Sequence, residues 1–154
     1  MNVSILTVFP ELYEPFLRTS LVGRAQKNGL VNFDVKRFSD CVPPKKRIDA
    51  PAFGHGAGML IKPEVLQAAV DACEEKSGRA FRIVLSPQGE KLDQRLLERI
   101  VKESQEREHV MLITSRYEGL DTRAHEQYAD ITVSVGDYVL MGGDLPAMVL
   151  LEGM

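Results

Sequence analysis

Three short segments of the 154-residue chain hold the residues best suited to gripping a ligand: Ser86-Pro87-Gln88-Gly89, Arg116-Tyr117-Glu118-Gly119, and the run from Val135 to Pro146. Gly89, Gly119, Gly136, Gly142 and Gly143 allow a backbone to approach a bound molecule closely or to turn with positive φ. Acid–base apparatus is sparse. The charged side chains in or beside these segments are Arg116, Glu118, Asp137 and Asp144, and no nucleophile sits beside a histidine. Arg116 suits a ligand carboxylate, a phosphate, or pairing with Glu118 or Asp137. Asp137 suits a turn equally well. There is no G-x-S-x-G elbow and no glycine-rich loop ending in Gly-Lys-Ser/Thr. Gly54-His55-Gly56-Ala57-Gly58 opens no helix directly after a strand and has no nucleophile, so it makes neither a dinucleotide fingerprint nor a hydrolase loop. Much backbone with little acid–base chemistry fits a cofactor that carries its own reactivity, such as a sulfonium methyl donor. Its adenine would meet backbone groups among Leu85, Val135, Leu140 and Pro146. The protein would then supply in-line geometry and a base for the acceptor.

The elements that must position these segments follow from periodicity. Val3–Phe9 reads as a buried strand, and Val31–Arg37 as an alternating strand with one wet face. Arg82–Leu85, Val110–Thr114 and Ile131–Val135 read as strands, each ending in one of the three segments. Helices are expected over Glu11–Phe16, Leu21–Asn28 with Gly29 as C-cap, Pro63–Lys76, Asp93–Glu103, Asp121–Gln127 and Leu145–Glu152, the last with Asp144 as N-cap. Val65, Leu66, Ala69, Val70 and Cys73 give the Pro63 helix one apolar face. Strands alternating with helices predict an α/β fold, a mostly parallel sheet with helices on both faces. Ligands of such sheets bind at the carboxyl ends of the strands, where the three segments lie. The Pro- and Gly-rich stretch from Ser39 to Gly58 is too long for a passive connection.

Net charge is −3, so composition does not signal nucleic-acid binding. The one compact basic cluster, Lys45-Lys46-Arg47, is open to two readings, a solvated loop tip or a phosphate contact. Cys41 and Cys73 lack metal-ligand spacing and read as reduced thiols of a cytoplasmic protein. The apolar N-terminus lacks a signal peptide's basic region, and no apolar run is long enough for a membrane span. His55, His109 and His125 sit in unrelated contexts, and His109, just before a strand, reads as structural.

Leu85-Ser-Pro-Gln-Gly-Glu, Arg116-Tyr-Glu-Gly-Leu-Asp121 and Ser134-Val-Gly-Asp-Tyr-Val-Leu-Met-Gly-Gly-Asp-Leu-Pro-Ala147 resemble the bacterial tRNA (guanine-N1)-methyltransferases. So do Phe9-Pro10-Glu11, Gly23-Arg24-Ala25 and Gly54–Met59, and the resemblance covers the whole chain. It implies a knot-class (SPOUT) methyltransferase with a deep C-terminal trefoil knot that grips a bent S-adenosylmethionine. Carried over residue by residue, it places Leu85, Ser86, Pro87, Gln88, Gly89, Ser115, Tyr117, Glu118, Gly119, Val135, Gly136, Tyr138, Leu140, Gly142, Gly143 and Pro146 at the cofactor. It places Arg24, Lys45, Lys46, Arg47, Gly56 and Gly58 at the RNA, with Arg116 and Glu118 as possible catalytic support. Methylation at guanine N1, 3′ of the anticodon, a homodimer and magnesium dependence are also implied, with no metal ligand assigned in the chain.

Two departures from the family pattern bear on pocket shape. Thr114-Ser115 stands where the family usually has Cys-Gly, and Phe53-Gly54-His55-Gly56 where it has Tyr-Gly-Gly-Gly. The family also continues into a linker bearing the aspartate base and an arginine, then into a helical tRNA-binding domain. On that comparison residues 1–154 read as the cofactor-binding and dimerising domain, a fragment expected to bind cofactor but to transfer methyl poorly alone. Alternative readings are a knot domain serving as an RNA-binding or dimerisation module, and a knot-class methyltransferase acting on another RNA.

Overall fold

The computed structural model describes residues 1–52 and 57–154. Five strands form one wholly parallel sheet: β1 (Asn2–Thr7), β2 (Asn32–Arg37), β5 (Phe81–Lys91), β6 (His109–Ile113) and β7 (Ile131–Ser134), in spatial order β2-β1-β6-β5-β7. Two short strands, β3 (Asp49–Pro51) and β4 (Met59–Ile61), pair antiparallel as a separate ribbon. They lie at the edges of the stretch expected to be irregular, which also holds a 3-10 turn at Phe38–Cys41. The helices are α1 (Glu14–Arg18), α2 (Ser20–Lys27), α3 (Pro63–Ser77), α4 (Gln94–Arg107), α5 (Thr122–Tyr128) and α6 (Asp144–Gly153).

Alternation along the central strands builds a core on each face of the sheet. Met111 and Ile113 of β6 point to one side, with Leu6 and Val84, under Val65, Leu66, Ala69, Val70 and Cys73 of α3 and Ala124 and Tyr128 of α5. All five expected apolar positions of α3 are fully buried. Val110 and Leu112 point to the other side, with Ile5, Ile83 and Val133, under Leu17 of α1, Leu96 and Ile100 of α4, and Ala147 and Leu150 of α6. The expected α/β sheet with helices on both faces is therefore what the chain forms.

Several boundaries differ from expectation for local reasons. The helix expected over Glu11–Phe16 is split into a 3-10 turn at Pro10–Leu12 and α1, because Pro15 lacks an N–H and fits only a helix's first turn. Gly29 does terminate α2. At φ 70° it donates to the Gln26 carbonyl while Leu30 donates to that of Ala25. The β2 strand is half-buried on both faces beyond Asn32, so its expected wet face is only partly wet. α4 runs one turn further than expected and is capped by Asp93, whose side chain accepts from the Leu96 N–H at 2.8 Å. β5 does not stop at Leu85; it extends through the expected loop, as described below.

The amino end of the sheet is tied by polar groups. Arg82 donates from Nε and Nη2 to the two Glu74 oxygens, each at 2.8 Å, and its guanidinium lies over the Tyr128 ring. His109 is buried between the Gly78 carbonyl, 2.7 Å from Nδ1, and Ser4 Oγ, 2.9 Å from Nε2. A carbonyl only accepts, so Nδ1 carries the proton and Nε2 accepts from the serine. His109 is structural, and it is the first residue of β6 where the sequence placed it just before the strand. No described helix is long and apolar enough to cross a membrane.

Candidate functional site

The carboxyl edge of β5, β6 and β7 carries the site, and each strand reaches it differently. β5 pairs with β7 up to Leu85↔Val133, leaves the sheet for four residues, and rejoins it at Glu90↔Val133 and Lys91↔Ser134. Ser86–Gly89 is thus an excursion within a strand and not a loop after one. Gly89 makes the return possible: a Cβ there would lie 2.5 Å from the Val133 nitrogen, inside the neighbouring backbone.

After β6 the chain turns through Ser115–Gly119. The Gly119 N–H donates to the Arg116 carbonyl at 3.0 Å, and Tyr117 takes a left-handed φ of 59°, rare for an aromatic residue. The Glu118 N–H donates to Met59 and the Ile61 N–H to Gly119, which fastens the β3–β4 ribbon to this turn. After β7 the chain runs through Val135–Gly143 and comes back across the ends of β5 and β6. There the Gly143 N–H donates to the Ser115 carbonyl at 2.9 Å, and α6 begins.

Together these walls enclose a cavity of about 610 Å³, within the usual range for small-molecule sites. Of the residues expected at the cofactor, all but Gly89 and Gly136 line it. Those two shape it from behind, Gly89 under β7 and Gly136 beneath the Tyr138 ring. The lining mixes apolar surface from Leu85, Leu140 and Pro146 with the carboxylates of Glu118 and Asp121. Asp121 is held down to about 2 by hydrogen bonds from the Arg123 guanidinium and backbone N–H. Ser115 lines the cavity too. Its Oγ lies 4.0 Å from where a Gly119 Cβ would be, so the side chain that replaces the glycine of the family pattern stands beside the second wall.

The lining also includes residues not expected at the cofactor, among them Ala52 just after β3, Leu60 of β4, Leu120 and Asp121 before α5, Thr122 and His125 of α5, and Thr132, Val133 and Ser134 of β7. For His125 a signal existed, since it follows Asp121 by one helical turn and so shares its face. Burial lowers the pKa of His125 and keeps the imidazole neutral. Because the unfolded chain takes up that proton more readily, stability contributed by this group is present above its ordinary value near 6.5 and declines as pH falls below it. His125→Gln is expected to flatten the fall in melting temperature between pH 7.5 and 5.5. An unchanged slope in thermal unfolding scans would overturn this.

Arg116 is not among the cavity-lining residues, and it pairs with neither Glu118 nor Asp137. Its Nε and Nη2 lie 2.9 and 2.8 Å from Asp144 Oδ2, and its guanidinium lies over the Phe9 ring, 4.8 Å from the centroid. Asp144 is not the N-cap of α6. That position belongs to Gly143, and Asp144 is the first helical residue, 1% exposed. Its Oδ1 lies 2.6 Å from Thr7 Oγ1, 3.0 Å from the Tyr13 hydroxyl and 2.9 Å from Thr114 Oγ1. Burial and the Asp144 charge both push the Tyr13 pKa up, so it stays a donor.

Of the residues expected at RNA, Arg24, Lys45, Lys46 and Arg47 are exposed and outside the cavity lining. Arg47 is bonded to Asp49 at 2.6 Å. Gly58 abuts Glu118 closely enough that a Cβ would collide with its side chain. Gly56 and His55 lie outside the described residues, as does most of the Gly54–Gly58 segment.

A sequence model of the family described as "tRNA (Guanine-1)-methyltransferase TrmD" matches residues 1–154. The chain belongs to this family. Among curated relatives named tRNA (guanine-N(1)-)-methyltransferase, that of Thermosipho melanesiensis is 39% identical over 155 residues and that of Bacillus subtilis 38% over 156. This family member is matched over its whole length by both, and spans 61% and 63% of theirs. A crystal structure described as tRNA (m1G37) methyltransferase from Aquifex aeolicus superposes with a TM-score of 0.87 at 31% identity, covering 99% of this chain and 67% of that one. The parallel sheet described above is thus the fold of a solved family member.

Proposed function

We propose that the cavity binds S-adenosylmethionine, and that the protein to which this chain belongs transfers its methyl group to N1 of a guanine in tRNA, 3′ of the anticodon. The observation that carries the reading is the convergence of three sequence-distant walls, Ser86–Gln88, Ser115–Gly119 and Val135–Pro146, on one cavity of suitable size. When bound, the cofactor supplies a methyl group on a cationic sulfur.

The chain's own residues would hold and orient it. Leu85, Leu140 and Pro146 offer apolar surface to a purine, while peptide groups of the glycine-rich walls read its edges. Glu118 places negative charge where a cationic ligand is favoured, while the charge of Asp121 is met by Arg123. Among the described residues no group of three or more His, Cys, Asp or Glu side chains is set to hold a metal. Arg24, Lys45, Lys46 and Arg47 are suited to RNA phosphates rather than to bases. Residues 1–154 would be the cofactor-binding domain. The passage of the chain back across β5 and β6 after β7 is what a trefoil knot in this segment would require. Cys41 and Cys73 are free thiols, in keeping with a cytoplasmic protein.

Calorimetric titration with S-adenosylhomocysteine tests the assignment. Saturable binding is expected, with a rise in melting temperature of roughly 5–11 °C at a hundredfold excess over Kd. Neither heat nor shift from a folded sample would sink it.

A further inference from the structure

The Arg116–Asp144 pair is the most heavily bonded polar group at the carboxyl edge, yet neither residue lines the cavity. Its position explains why. Arg116 immediately precedes Tyr117, Glu118 and Gly119 on one wall. Asp144 immediately follows Gly142 and Gly143 on another and stands two residues before Pro146. The ion pair therefore ties the second wall to the third.

Two further contacts serve the same joint. The Gly143 N–H donates to the Ser115 carbonyl. The Arg116 side chain also lies so close over Gly142 that a Cβ there would be 2.6 Å from its Cδ. The other carboxylate oxygen anchors the joint to the sheet. Thr7 ends β1, Thr114 follows β6, and Tyr13 lies beneath α6, and all three hydroxyls gather on Oδ1. A carboxylate bonded to a guanidinium on one oxygen and to the Thr7 and Tyr13 hydroxyls on the other, with the Thr114 hydroxyl shared between it and the Leu6 carbonyl, is tightly held in place.

We propose that Asp144 and Arg116 act as positioning residues, setting the separation of the two cavity walls and so the affinity for the ligand without touching it. This rests on the reading of the cavity as a cofactor site. Asp144→Asn either keeps its oxygen on the hydroxyls and turns an amide donor toward the guanidinium, or turns a neutral oxygen to the guanidinium and loses the acceptor for the hydroxyls. Arg116→Gln removes the fork. Arg116→Lys keeps the charge, and with it the compensation of the buried carboxylate, but loses the planar guanidinium edge that sets two N–H groups on Oδ2.

The test is S-adenosylhomocysteine affinity of the parent chain, the three single variants and the Asp144→Asn/Arg116→Gln double variant, each measured well below its own melting temperature. Each single variant is expected to bind at least tenfold more weakly. The double variant should bind no more weakly than the worse single, because both remove one joint. A purely structural role would lower melting temperatures and leave Kd within about twofold, and that outcome overturns the proposal. If Asp144→Asn does not fold, the two Arg116 variants decide alone: Kd unchanged in both overturns it. Absence of binding by the parent chain would instead overturn the cofactor reading, and this inference with it.

Discussion

Gly89→Ala is expected to destabilise the chain by about 3 kcal/mol, the upper end of the cost of overpacking a closed site, and to weaken S-adenosylhomocysteine binding at least tenfold. The added methyl would sit 2.5–2.6 Å from three backbone atoms of Thr132 and Val133. Backbone inside a sheet cannot step aside as a flexible side chain does. Either β5 fails to rejoin β7 at Glu90, or the Ser86–Gln88 excursion is displaced and one cavity wall moves with it. For a chain of this length the melting temperature should fall by roughly 6–12 °C. Gly29→Ala is the control. Nothing lies within 4 Å of its Cβ position, so only the left-handed conformation, at φ 70°, carries a cost of about 1–2 kcal/mol. Scanning calorimetry on the two variants separates them. If Gly89→Ala is as stable as Gly29→Ala, the close approach of β5 and β7 does not constrain this edge.

The second large effect concerns association. Leu145 and Val149 lie one turn apart on α6, 63% and 52% exposed, and Val139 and Met141 in the preceding segment are 81% and 89% exposed. Exposed apolar side chains of this kind are candidates for a contact face, and we propose a second copy of the chain as their occupant, as the family resemblance implies. Leu145→Glu combined with Val149→Glu is expected to convert a dimer to monomers. Two-fold symmetry presents each substitution twice. A loss of about 4 kcal/mol then corresponds to roughly a thousandfold weaker association. Sedimentation velocity of parent and variant reads this directly. A variant that still sediments as a dimer would place the interface elsewhere, and a monomeric parent would end the dimer reading.

Much of the architecture was legible because it rests on local periodicity. The apolar positions of α3, the ends of β6 and β7 at their glycine-bearing segments, and the C-terminal stop of α2 at Gly29 each follow from residues close in sequence. What escaped notice depends on residues far apart. Pro87 and Gly89 look like the end of a strand, and nothing nearby announces that Glu90 and Lys91 pair again with β7. Asp144, standing after two glycines and before Leu-Pro, has the local signature of a helix cap. Its partners at positions 7, 13, 114 and 116 are gathered only by the fold. The same distance hid the partner of Arg116. Likewise the contributions of Ala52 and Leu60 to the cavity depend on a ribbon whose two strands are separated by a glycine-rich stretch.

The bond between Thr7 and Asp144 joins residues 137 apart in sequence, which has a kinetic meaning. Bringing together the last residue of the first strand and the first residue of the last helix incurs nearly the whole loop-closure entropy of the chain. We expect such a contact to form late, so that the joint between the second and third cavity walls is anchored to the sheet only after it forms. A ligand therefore has nothing to grip in the folding transition state and everything to grip in the native state. Its stabilisation would fall on the unfolding rate, leaving the folding rate untouched. The bound protein would persist longer without having folded any faster.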